Sequence, residues 1–147
     1  MQSQMAGIYR AKNFYLLHAM EQSPPGFWVA APPFERLSED VADVDLGNAA
    51  LLALDRSRPM RDYQPSRAPR DTELIKAAGF RSRKQFIAAS TMCTLEQAVA
   101  DRSTIQVRPS RRDVSNSAWI SEPDTIGVNA SDLGAIGAVI RSVLSVQ

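Results

Sequence analysis

The sequence predicts an α+β fold: a largely antiparallel sheet with helices near residues 45–57, 72–89 and 131–146. Three observations carry this. Aromatic and apolar runs bounded by turn residues fill the first third. Strict polar–apolar alternation returns at Thr104 to Arg108. Two stretches, 45–57 and 131–146, combine strong helix formers or an apolar stripe at helical spacing. The 147 residues suit one domain, 1–147, with strand-rich halves 1–57 and 90–147 joined by 58–89.

Gly7 to Tyr9 and Phe14 to Met20 are strand material, and Ser23-Pro24-Pro25-Gly26 is a turn. Phe27 to Ala31 is the next strand. Pro32 and Pro33 are expected to end it, because proline cannot donate to a ladder. A helix follows from about Asp45 to Ser57. Asp43 or Asp45 lies near its start, where a carboxylate complements the positive end of the helix dipole. Pro59 stops it. Residues 58–70 carry Pro59, Pro65 and Pro69 with Arg58, Arg61, Arg67 and Arg70, and read as a linker or long exposed loop.

Asp71 is placed to cap a short helix through Ala78, and Gly79 is its stop. Ser82 to Gln85 has capping-box spacing and opens a second short helix through about Ala89. Thr91 to Val99 is a strand and Asp101 to Ser103 a turn. Alternation across Thr104 to Arg108 turns Ile105 and Val107 inward. Trp119-Ile120 and Thr125 to Val128 are two short strands around a Glu122-Pro123-Asp124 turn. Ser131 is expected to cap the last helix, which runs through Val146. Its Leu133, Ile136, Ile140, Val143 and Leu144 form an apolar stripe.

Asp-Leu-Gly occurs at 45–47 and again at 132–134, each time opening a helix after a run of strands. Two pseudo-repeated strands-then-helix halves are one reading, and a chance match of a short triplet is the other. In either case a glycine in a first helical turn lets that turn approach a sheet closely.

Several function classes are excluded. Seventeen basic against sixteen acidic residues give a net charge of +1, so the chain is no polycation. No apolar run reaches the roughly 18–20 residues a bilayer requires. The start, Met1 to Met5, lacks a basic segment followed by an apolar one, so no secretory leader is expected. The single cysteine, Cys93, permits no internal disulfide and suits a reducing cytoplasm. With only Cys93 and the single histidine, His18, a structural zinc site lacks its usual ligands. There is no phosphate loop, paired-cysteine motif or nucleophile elbow, so no cofactor and no catalytic residue is assigned. His18 sits in an apolar run, where a packed, hydrogen-bonded histidine is the ordinary case. The chain is therefore not expected to be an enzyme.

Three segments carry a family likeness: Val44 to Gly47 running into Ala53 to Ser57, Ala78 to Phe86, and Ser131 to Gly134. On these the chain resembles the immunity proteins of bacterial contact-dependent growth inhibition systems. The resemblance covers about a quarter of the chain. It implies a small cytoplasmic α+β protein that binds the C-terminal toxin domain of its own system and blocks it. Such toxins are often nucleases, transfer-RNA nucleases among them. The repeated triplet is also similar to the Whirly-type architecture, which leaves a single-stranded nucleic-acid-binding protein as the alternative function. The low net charge argues against stable nucleic-acid binding.

Glu35, Glu39, Asp40, Asp43 and Asp45 form the sharpest local feature. They can mimic phosphates toward a cationic nuclease cleft and speed association with it. They can equally be a solvated helix start. Arg61, Asp62 and Tyr63 in the linker join them as candidate partner contacts. The stretch 56–84 holds nine basic and three acidic residues. It suits phosphate contact, an acidic partner or plain solvation.

Overall fold

Alternating side chains build one eight-stranded sheet in the computed structural model, which describes residues 1–63, 71–113, 115 and 118–145. In chain order the elements are β1 (Ser3–Ala11), β2 (Phe14–Gln22), β3 (Trp28–Ser38), α1 (Asp43–Asp55), β4 (Arg58–Pro59), α2 (Asp71–Ala77), α3 (Arg83–Ala89), β5 (Ser90–Ala98), β6 (Thr104–Asp113), β7 (Ala118–Ser121), β8 (Ile126–Asn129) and α4 (Leu133–Ser145). The sheet order is β3-β2-β1-β5-β6-β7, with β8 also on β6 and β4 beside β2. Every pairing is antiparallel except that of β2 with the two-residue β4. The expected α+β fold with a largely antiparallel sheet is therefore present.

One face of the sheet is covered by α1 and α4. Leu46, Ala50 and Leu54 of α1 and Ile136, Ile140 and Leu144 of α4 pack on Ile8, Leu17, Leu95, Ile105 and Val107, all buried. Ile105 and Val107 point inward as the alternation requires. The other face is covered in part by α2, the turn after it and α3, whose respective Leu74, Ala78 and Phe86 meet Tyr9, Phe14, Leu16 and Met92. Ser82 caps α3 by accepting from Gln85 N at 3.2 Å, and Gly79 (φ 81°) ends the turn after α2, both as expected.

Several expectations are corrected. Pro32 and Pro33 do not end β3. The strand runs through them because it is an edge strand with a neighbour, β2, on one side only. The register steps from Leu17 opposite Glu35 to Ala19 opposite Ala31, and the Pro32–Pro33 peptide is cis. The expected Glu122-Pro123-Asp124 turn does not reverse the chain. It is a break in one edge lane, since β7 and β8 both pair with β6. The cap of α4 is Asp132, which accepts from Ala135 N at 3.0 Å, while Ser131 bonds back to Asn129. The helix expected near 45–57 lies two residues earlier, while the region 72–89 holds the two short helices expected there. Pro65, Arg67, Pro69 and Arg70 of the expected linker, and Val146 of the expected last helix, lie outside the described residues.

The two Asp-Leu-Gly triplets do not occupy matching places. Gly47 packs against the carbonyl of Leu133 at the start of α4, not against the sheet. The corresponding residue of α4 is Gly137, packed against the carbonyl of Asp43, whereas Gly134 has only Asp132 Oδ1 at 3.8 Å.

Candidate functional site

The acidic residues singled out in the sequence gather at the start of α1. Glu39 and Asp40 form the turn after β3, and Asp43 and Asp45 lie in the first turn of α1. The helix has Ala42 at its N-cap with no side-chain cap, so the carboxylates of that first turn face its positive end. Glu35 stands half-buried on the edge strand β3, opposite Leu17.

These acids divide into two kinds. Glu39 pairs with Arg10 at 2.8 Å. Asp43 pairs with Arg141 Nε at 2.9 Å. The same Arg141 donates from Nη1 to the Glu39 carbonyl at 2.8 Å and to Tyr15 Oη at 3.3 Å, and from Nη2 to the Val41 carbonyl. Asp43, first among its surroundings, holds the Arg141 guanidinium above its already high ordinary value. The guanidinium carbons of Arg141 and Arg10 lie 5.5 and 5.4 Å from the centre of the buried Tyr15 ring. Asp40 and Asp45 are exposed and make no ion pair among the described residues. Val44, 48% exposed, stands on the same turn.

Arg61, Asp62 and Tyr63 are not brought to this cluster. They follow β4, where Met60 N donates to Gln22 O at 2.9 Å. That is the far end of α1, about 20 Å away along a helix of this length. Arg61 and Asp62 are exposed and Tyr63 is half-buried. Within the basic stretch, Arg58 is taken by the buried Glu21 at 2.9 Å.

A second feature lies on the sheet face that α2 and α3 leave partly open. A cleft of about 440 Å³ there is lined by Met5, Met20, Trp28, Met92, Arg108 and Trp119, among others. It adjoins a cavity of about 190 Å³ that shares Met20, Trp28, Met92 and Trp119. Arg108 is half-buried, and its Nη1 donates to the carbonyls of Glu122 at 2.7 Å and Pro123 at 2.8 Å. No carboxylate pairs with it among the described residues. Sequence reasoning missed this cleft because its residues come from six strands. It also missed Arg141, which reads in the sequence as a lone cation inside an apolar stripe.

The chemistry elsewhere is sparse. His18 is buried, with Nδ1 2.8 Å from the Ala19 carbonyl and its ring against Gly7. Burial pushes the Cys93 thiol far up, which keeps it protonated and unreactive. Among the described residues no group of His, Cys, Asp and Glu could hold a metal ion. Nor is any helix long and apolar enough to cross a membrane.

Comparison with known proteins adds the following. A family model described as CdiI, CDI immunity protein, matches residues 4–146. No curated protein matches the chain. Among solved structures, a protein of unknown function from Neisseria meningitidis, NMB0488, is similar at 18% identity and a TM-score of 0.74, over 98% of this chain and 94% of that one. A CdiA-CT/CdiI toxin and immunity complex from Yersinia pseudotuberculosis is similar at 19% identity and a TM-score of 0.74, over 99% of this chain and 97% of that one. At these identities the two structures share the fold.

Proposed function

The chain belongs to the CDI immunity protein family, and from that membership we propose that it binds the C-terminal toxin domain of its own system and neutralises it in the cytoplasm. The toxin domain is a nuclease, and this chain covers its active site by binding alone, with no chemistry of its own. A nuclease cleft is cationic because its substrate is a polyanion, so a fixed array of carboxylates can compete for it.

The observation that supports this reading is the division among the acids. Asp40 and Asp45 are exposed and make no ion pair among the described residues, beside the exposed Val44, while Glu39 and Asp43 are held by Arg10 and Arg141. The paired acids fix the turn. Asp40 and Asp45 are left to face a partner.

The test is to purify the toxin domain of the same system and assay its degradation of cellular RNA and DNA with increasing amounts of this protein. Loss of nuclease activity at one equivalent, with a complex that survives gel filtration, is the expected result. A toxin domain that degrades no nucleic acid removes the nuclease reading. A toxin domain that stays active at saturating immunity protein removes occlusion.

A further inference from the structure

We propose that the open cleft on the second face of the sheet is a contact surface for the same toxin domain, receiving an apolar side chain of the toxin with a carboxylate beside it. This rests on the immunity reading above and adds a second place of contact to it.

The shape comes first. Trp28 stands on β3 at one edge of the sheet and Trp119 on β7 at the other. Five strand spacings would separate these edges by about 24 Å in a flat sheet. Both residues line the same cleft, so the sheet curls around this face. Tryptophan, methionine and arginine are the residue types enriched at the centres of protein interfaces, and the cleft brings two tryptophans and three methionines to Arg108. Methionine adapts its shape to an incoming side chain.

The charge then selects the partner. Two carbonyls hold the Arg108 guanidinium in place, but carbonyls carry no net charge to offset it. Glu122 also lines the cleft, but its carboxylate is turned to Arg111, and among the described residues no carboxylate pairs with Arg108; such a half-buried cation favours an incoming anion. Its neighbours differ. Arg111 lies 3.6 Å from Glu122, and Arg112 is turned to the Ser90 carbonyl at 3.0 and 2.7 Å. One uncompensated cation suits one carboxylate. A nucleic-acid strand is tracked by a row of cations, which this cleft does not present.

The experiment measures affinity of the full chain for the toxin domain at two salt concentrations, with a melting curve for each variant. Arg108→Gln keeps a donor for the Glu122 carbonyl and removes the charge. It should weaken binding by about tenfold or more, as interface hot spots do, and flatten the salt dependence. Arg108→Lys should restore most of the affinity. Ser121→Glu, at an exposed position on the cleft rim, should weaken binding comparably by repelling the incoming carboxylate, and it keeps the proposal testable if Arg108→Gln does not fold. Toxin binding by wild type that neither Arg108→Gln nor Ser121→Glu changes overturns this inference and leaves the immunity reading standing. A wild-type chain that binds no toxin overturns both. Tight binding of a single-stranded oligonucleotide that Arg108→Gln abolishes overturns it in favour of nucleic acid.

Discussion

Arg141, on the last helix, donates from Nε to the Asp43 carboxylate at 2.9 Å, and so ties α4 to the first turn of α1. Because the same guanidinium also reaches the Glu39 and Val41 carbonyls, it fixes the whole turn that presents the acids. The electrostatic face of this protein is thus set by a residue about a hundred positions away in the chain.

Arg141→Gln should destabilise the fold by about 2–4 kcal/mol, because several bonds to one partly buried charged group are lost together. Asp43→Asn should cost no more than about 1 kcal/mol, since that carboxylate is half-exposed and the carbonyl bonds remain. Urea denaturation of both variants checks this. Equal losses would mean that the ion pair, and not the carbonyl clamp, holds the turn.

Gly137→Ala should be severely destabilising, because a Cβ there overlaps the main chain of Asp43 and the two helices cannot stay in contact. A loss of about 3 kcal/mol or more is expected. Gly134→Ala meets nothing closer than 3.8 Å and should be neutral or stabilising, by up to about 1 kcal/mol from helix propensity. Thermal melts of the pair decide it, and equal behaviour would contradict the close approach.

Asp101 accepts from the Ser103 hydroxyl at 2.6 Å and the Ser103 amide at 3.0 Å, which lowers its pKa below the ordinary carboxylate value. A depressed folded-state pKa means stability that is complete above the unfolded pKa and lost as pH falls through the folded one. Asp101→Asn should therefore lower the melting temperature at neutral pH and leave it little changed at acid pH, which flattens the acid limb of the profile. An unaltered acid limb would show that this turn does not couple to folding.

His18→Ala should lower stability by about 2–4 kcal/mol through the cavity it leaves. Neutralisation of the toxin per folded molecule should be unchanged. Toxin-inhibition assays at matched folded concentration test this, and lost protection in a folded variant would give His18 a functional role.

What was legible in the sequence follows from the range of each signal. Local signals held: alternation placed Ile105 and Val107, capping-box spacing placed Ser82 and Gln85, and Gly79 marked its turn. Signals that depend on a neighbour failed. Pro32 and Pro33 can stay in a strand only where the ladder has one free side, and edge position is a property of the sheet. Ser131 and Asp132 are both good caps, and packing of α4 chose the second. The triplet pointed to Gly134, but it is the approach of α1 that requires Gly137. Which acids are held in ion pairs depended on Arg10 and Arg141, distant in sequence from Glu39 and Asp43.

That division gives the last prediction. Reversing Asp40 and Asp45 to Lys should slow association with the toxin domain by about tenfold or more at low salt and less at high salt, as electrostatic steering requires. The fold should survive, because Asp45 contributes only about 0.3–1 kcal/mol through the helix dipole and Asp40 makes no ion pair among the described residues. Glu39→Gln with Asp43→Asn should behave oppositely: a lower melting temperature from the lost pairs with Arg10 and Arg141, and a smaller change in association rate. Stopped-flow association at two salt concentrations, with a melt of each variant, separates the two classes. If the Asp40 and Asp45 reversal leaves both rate and melting temperature unchanged, the segment is a solvated helix start, and the toxin meets the protein elsewhere.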